Sequence, residues 1–573
     1  VPVLLAFPLL ASALAVMPLS EVRPGQQGVC ITEWSGGAKI QIPVEVVGRL
    51  DATSPGDRAV LVRLLDQRFA DAGVVAGMSG SPVYVDGKLL GAVAFGWTFA
   101  REALAGVTPF ESMAAIPRGS STPAARRFSW EDLTAALAGR LPATALLPPG
   151  GAPRWVTPLA LPGGTDPLGL PLASWQTLGL LPAPAAPLSE ESQQTPAGFP
   201  EGGDMVAAVL VWGDAVLAAG GTLTARDGES FYAFGHPLVA AGAVRIPAAR
   251  ARVLAVQRSF AMSFKLFAVG QPFGTFVADQ PAGMVALAGK PPRGLPLRVL
   301  VQAEGESKSF AFFLAQVPLL EPLLAAYLTA TSLSHNRGHN ADLTVSVAVR
   351  AAFSDGSTLA LRQATAAPDA VARVATFVGA LVGLLTNPPF PGPELASLEL
   401  ELARSPHESA ELLEALPAKR RVAPGELLPV TVRLQPFRGA EERRTVSLRV
   451  PKAAAPGRVD LVVADGAAFA DYALRSEKLS PTNFPQLLAQ LSRLEPSSTL
   501  VLALEAREGG LTLPGAAYPA LPPSLSASMS QALGPGSVQR LATSFLEVTR
   551  VSFPYPLEGA VRIPLDVQPL EVP

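Results

Sequence analysis

Apolar positions along the chain come in short runs, most of them alternating with polar residues and most of them closed by proline or glycine. Residues 27–113 carry "VCITEW", "IQIPVEVVG", "AVLVRLL", "SPVYV" and "LLGAVAFGW". A period of two over four to eight residues predicts strands with one face buried. The "VDGK" between the last two runs predicts a tight Asp-Gly hairpin. Then "SWEDLTAALAGRL" changes to a helical period, with Ser129 as its expected N-cap. Residues 141–200 hold 13 prolines, which predicts a linker or an extended strap over the surface.

Strands resume at "DMVAAVLVWG" and continue through "AVLAAGGTLTARDGESFYAFGHPL" to "LPLRVLVQAEG". Two helices are expected around 316–334 and 367–386, on either side of the strand "ADLTVSVAVRAAF". The second is apolar on most faces but short and interrupted by Arg373, so it reads as a buried helix rather than a membrane span. From about 421, "LLPVTVRLQPF", "RTVSLRV", "VDLVVADG" and "TLVLALEA" alternate again, the pattern of a β-sandwich. The expected division is a leader-like segment at 1–20, a β lobe at 21–115 and a helix with a proline-rich linker at 116–203. A second β lobe at 204–310, a mixed connector at 311–415 and a sandwich at 416–573 complete it.

Composition narrows the function classes. A chain of 573 residues needs several cores. With 49% hydrophobic and 16% charged residues and a net charge of −2, it has no electrostatic footprint for nucleic acid. One cysteine, Cys30, excludes an internal disulfide framework and reads as a buried free thiol. The opening run "VPVLLAFPLLASALAVMPLS" ends in small residues at Ala13-Leu14-Ala15 and reads as the apolar region and cleavage site of a secretory signal. Pro2, Pro8 and Pro18 argue against a span. Export to a periplasmic, cell-envelope or extracellular site is the expectation.

Candidate chemistry concentrates at "GMSGSP", residues 77–82. A serine hydroxyl needs a base to take its proton and donors to hold the oxyanion. Gly77 permits a strained turn that aims the amides of Gly77 and Ser79 inward, and the hairpin beyond offers backbone groups to an extended peptide. Candidate bases are few, since the chain has four histidines. His335 and His339 stand four apart, but a glycine between them and no nearby carboxylate favour a loop over a metal site. His407 reads as a surface residue. Walker, Rossmann and zinc-finger signatures are missing, and neither a cofactor nor a metal is expected.

"GMSGSPVYVDGKLLGAVAFGW" resembles the nucleophile hairpin of trypsin-like serine peptidases, and more closely that of the stage IV sporulation protein B (SpoIVB) peptidase family. "GGTLTARDGESFYAFGHPL" resembles that family's histidine segment, with Gly235-His236-Pro237 in place of Gly-His-Gly. The resemblance implies a mainly β fold: two trypsin-like β-barrel lobes, swapped in chain order, with short helices and the C-terminal sandwich added. It implies a serine endopeptidase acting on protein or peptide substrates. Ser79 would be the nucleophile, His236 the base, and Gly77 and Ser79 the oxyanion hole. Ala94, Phe95 and Gly96 would form the substrate-pairing strand, and Gly73 the floor of the primary pocket. The acid would be Asp66, which stands slightly nearer the serine than the family's aspartate does, or Asp279 by barrel topology. Sporulation members place the histidine before the serine, the reverse of the order here. That departure keeps open a second reading, an inactive exported scaffold that binds peptides by strand addition.

Overall fold

The computed structural model describes residues 14–568 except 52–57, 119–125, 149–154, 163–167, 171, 188–197, 336–341, 453, 478–480 and most of 514–538. The fold is mainly β. Strands β1 (Gln27–Ser35), β2 (Ala38–Asp51), β3 (Arg58–Leu64), β4 (Pro82–Val85), β5 (Lys88–Phe95) and β6 (Leu104–Pro109) close a barrel in the order β1-β2-β3-β6-β5-β4. Its interior is filled by alternate residues, among them Ile42, Val44, Val60, Val62, Val83 and Val107. The β4–β5 hairpin turns at Asp86 and Gly87, both at positive φ, with Val85 opposite Lys88. That is the two-residue loop the Asp-Gly pair predicts.

Strand β7 (Thr157–Pro162) and strand β8 (Leu180–Pro187) lie in the segment expected to be a linker. They pair in parallel, and join a large sheet through β10 (Leu217–Asp227) and β13 (Phe264–Gln280). The proline count misled because position matters more than number. Pro182 and Pro184 stand two apart, so their missing N–H groups fall on one edge of the strand.

The remaining strands of the second lobe are β9 (Met205–Gly213), β11 (Ser230–Ala233), β12 (Gly242–Gln257) and β14 (Gly283–Ala288). They belong to a sheet of thirteen strands, but within it six are paired in a ring: β9 with β10, β10 with β11, β11 with β14, β14 with β13, β13 with β12, and β12 back to β9. Counted within its own lobe, each ring runs first, second, third, sixth, fifth, fourth. The expectation of two β-barrel lobes holds, with the second continuous with a wider sheet.

That sheet extends through Leu295–Ala303, Glu306–Leu314, Leu343–Phe353, Thr358–Ala367 and Leu395–Pro406, so much of the expected connector is sheet. The expected helices run Glu321–Leu333 and Ala370–Thr386 and are buried against it, and Ser129 caps Trp130–Leu137 with a capping box. Among the described residues no helix is long and apolar enough to cross a membrane. Beyond residue 409, a sheet of four strands and a sheet of six share one core built on Leu428, Leu448, Leu461, Leu502 and Leu565.

Residues 1–13 of the leader-like segment lie outside the described residues. The described end of that segment packs on the first barrel: Val16 bridges Leu89, and Met17 and Leu19 are in its core.

Candidate active site

The serine turn starts from a helix that sequence reasoning missed, Arg68–Ala72, which is too short to show a helical period. Gly73 ends it at φ +61, and Val74 lies against Gly96, where an added Cβ would come within 2.8 Å of it. Met78 is fully buried in the first barrel, and burial of such a side chain contributes about 1.5–3 kcal/mol. It anchors the turn. Behind it, Val93 of β5 accepts from the Gly80 amide and donates to the Ser81 carbonyl. The amides of Met78, Gly80 and Ser81 are all engaged, whereas those of Gly77 and Ser79 make no backbone hydrogen bond among the described residues. Ala94 stands at the bulge between Val93 and Phe95, and the Phe95 ring lies over Gly106.

The second barrel completes the turn. Thr222 donates its amide to the Ser79 carbonyl (2.7 Å) and its hydroxyl to the Gly77 carbonyl (2.9 Å). Thr224 donates its hydroxyl to the Gly80 carbonyl (2.8 Å). Further back, Ala76 exchanges backbone bonds with Ser263 and Lys265. Gly80 is glycine by necessity, since a Cβ there would lie 1.8 Å from the Thr222 carbonyl oxygen.

His236 follows from β11 through Phe234 and Gly235, both at positive φ. Gly235 is pressed against Ala92 and Val93, and its carbonyl accepts from Thr108 of the first barrel (2.6 Å). Phe234 in turn abuts Gly80. The histidine and serine segments therefore meet where the two barrels pack together.

At this junction the His236 Nδ1 lies 2.7 Å from the Pro237 carbonyl oxygen. A carbonyl only accepts, so Nδ1 carries the proton and Nε2 presents its lone pair. Both His236 Nε2 and Ser79 Oγ are buried without a hydrogen-bond partner, so no direct bond joins them. Trp155, from the proline-rich segment, stacks on the imidazole (5.4 Å between centroids, 17° between planes), and its Nε1 and Thr157 Oγ1 are buried and unpaired as well. Burial lowers the His236 pKa to about 4, only partly opposed by its bond to Pro237.

Neither proposed acid touches the imidazole. Asp66 forms a bidentate pair with Arg68 (2.5 and 2.9 Å), whose hydrogen bonds bring its pKa down to about 2. Its expected role rested on spacing alone, and two residues on the chain supplies a nearer cation. Asp279 is fully buried, and its carboxylate accepts from the amides of Leu238, Val239 and Ala241 (2.6, 3.0 and 3.0 Å). Burial raises its pKa against the pull of those amides. It holds the loop that follows His236 rather than the ring.

The other histidines have partners. His335 contacts Lys308 and Phe310, while His407 is held by Asp342 and Ser409 and stacks on Phe437. His407 is thus more enclosed than its polar neighbours suggested, and His339 lies outside the described residues. Among the described residues no three His, Cys, Asp or Glu side chains gather as a metal site. Cys30 is buried, and desolvation pushes its thiol up to about 12.

Sequence reasoning missed Thr222, Thr224, Trp155, Pro237 and Lys265. The first two share a strand face in "GGTLTARDG", and Lys265 is a lone charge in the apolar "FKLFAV". Both patterns were signals.

The family model of SpoIVB peptidase S55 matches residues 7–108, a stretch that includes the first barrel and Ser79 but ends before His236. No curated protein and no solved structure matches the chain.

Proposed function

From the match of residues 7–108 to the SpoIVB peptidase S55 family model, a family whose substrates are proteins or peptides, we propose that this chain is a serine endopeptidase using Ser79 and His236. One observation carries the reading. Two buried reactive atoms, Ser79 Oγ and His236 Nε2, stand unpaired on segments that meet between the barrels, and the imidazole is held in the tautomer a general base requires.

In this mechanism Ser79 Oγ attacks the scissile carbonyl carbon as Nε2 takes its proton. The oxyanion faces the free amides of Gly77 and Ser79. Nε2 then returns the proton to the leaving amine, and water releases the acyl group by the same path in reverse. The Pro237 carbonyl orients the ring where a carboxylate would in a triad, and Asp279 stabilises that arrangement through the loop. Substrate pairs along Ala94-Phe95-Gly96, above a pocket that starts at Gly73. The closed cleft requires Trp155 to move before substrate enters. We place its action after export, on the sequence of the apolar run at residues 1–20 alone.

The test is a fluorophosphonate probe on the full chain, with S79A and H236A as controls. Adduct mapped to Ser79, lost in S79A and strongly slowed in H236A, supports the reading. An unreactive Ser79 in a folded protein that still binds extended peptides would support the scaffold instead.

A further inference from the structure

Behind the serine turn lies a fully buried lysine that the mechanism above does not use. Lys265 reaches from β13 of the second barrel, and its methylenes pack where a Cβ on Gly77 would be, 3.2–3.3 Å away. Its Nζ donates to Thr32 Oγ1 (2.8 Å) and to Thr222 Oγ1 (3.4 Å). Each threonine then touches one flank of the nucleophile. Thr222 donates to the Gly77 carbonyl, and Thr32 accepts from Ser81 Oγ (2.8 Å).

We propose that Lys265 is a positioning residue for the serine turn, fixing Gly77 and Ser81 on either side of Ser79 through Thr222 and Thr32.

The argument rests on cost. A buried ammonium is expensive unless paired, and no carboxylate forms an ion pair with this one among the described residues. Glu33 and Cys30 of β1 are the titratable groups that face it. Glu33 already accepts from the amides of Met205 (3.0 Å) and Val253 (2.7 Å), and the Cys30 thiol is held neutral by burial. A methionine of similar length would fill the space without leaving either threonine unpaired. A purely structural position favours that exchange, whereas a need for two donors at a fixed point retains the lysine. Desolvation lowers its pKa to about 7, opposed by Glu33, so its charge changes near neutrality.

The sign of the stability effect follows. A lysine whose folded pKa lies below its unfolded value costs stability most below about pH 7, and the cost disappears as pH approaches the unfolded value of about 10.4. K265M should therefore melt higher than wild type at neutral pH, with the difference shrinking toward high pH.

This inference rests on the serine peptidase reading for its kinetic consequence only. Full-length wild type, K265M and T222V are compared by fluorophosphonate labelling over about pH 5 to 10 and by amide hydrogen exchange across residues 76–81. K265M should label on the order of 10²-fold more slowly, because a displaced nucleophile loses alignment. Its profile should lose the inflection near neutrality, and its 76–81 amides should exchange faster despite the higher melting temperature. T222V should loosen the same amides. Unchanged exchange in K265M, or a lower melting temperature with an unaltered pH profile, overturns the proposal. If wild type itself is unlabelled, the peptidase reading fails, and the exchange data still decide the role of Lys265.

Discussion

The Thr222 amide donates to the Ser79 carbonyl at 2.7 Å, so the candidate nucleophile of one barrel is held by a main-chain bond from the other. The neighbouring glycine makes that contact possible. Replacing Gly80 with alanine puts a methyl group 1.8 Å from the Thr222 carbonyl oxygen, at a φ of +95. The left-handed backbone alone costs about 1–2 kcal/mol, before the barrels are pushed apart. G80A should unfold at lower denaturant and lose Ser79 labelling, as a urea titration and a probe assay together will show.

The two aspartates should separate cleanly. D279N places an amide donor against the amides of Leu238, Val239 and Ala241, which leaves buried donors unpaired. Losses of about 1–3 kcal/mol in stability and a marked fall in kcat/KM are expected. D66N breaks a half-exposed pair with Arg68 and should cost no more than about 1 kcal/mol, with near-normal turnover. Parallel kinetics and melts check both. A turnover loss confined to D66N would restore it as the triad acid.

His236 makes stability fall with acid. Its folded pKa of about 4 lies below the unfolded value of about 6.5, so the unfolded chain binds the extra proton between these limits. The penalty is absent above about pH 6.5 and grows as pH falls toward 4. Thermal melts of wild type and H236Q should therefore run parallel above neutrality. In the acid window wild type should drop more steeply.

Trp155 is expected to set how closed the cleft is. W155A uncovers one face of the imidazole, which returns the His236 pKa toward its ordinary value and admits the probe. Histidine NMR titration should show an upward shift, and Ser79 labelling at neutral pH should quicken. A variant with the pKa unmoved would assign the desolvation to other neighbours.

Cleavage should follow small or apolar residues. Gly73, Val74, Val75 and Ala76 bring no carboxylate to the pocket side of the turn, and Val74 narrows it against Gly96. A buried cation would have no partner there. Peptide-library profiling checks this, and a preference for Arg or Lys would mean the pocket lies elsewhere.

Short-range pattern carried much of this fold into the sequence. The Asp86-Gly87 turn, the Ser129 cap and the period-two strands depend on neighbours in the chain, and all are where local chemistry puts them. The 157–187 strands were hidden because proline content says nothing about which edge of a strand lacks its donor. At the candidate site, Ser79 and His236 stand out in the sequence by their flanking glycines. The partners could not, because each depends on a distant segment: Thr222 on Gly77, Trp155 on His236, Asp279 on residues 238–241. Spacing selected Asp66, but only the fold shows that Arg68 already holds it.

A timing rule follows from where the serine turn finds its supports. The ribosome delivers residue 79 long before residues 222, 224, 263 and 265, and domains fold in the order they emerge. A nascent chain that has completed only the first barrel has the serine but none of these clamps, nor its histidine. Competence for the proposed chemistry then arrives in one late step, after the second barrel docks. Translation itself thus delays the proposed peptidase activity until the whole of both barrels has been made.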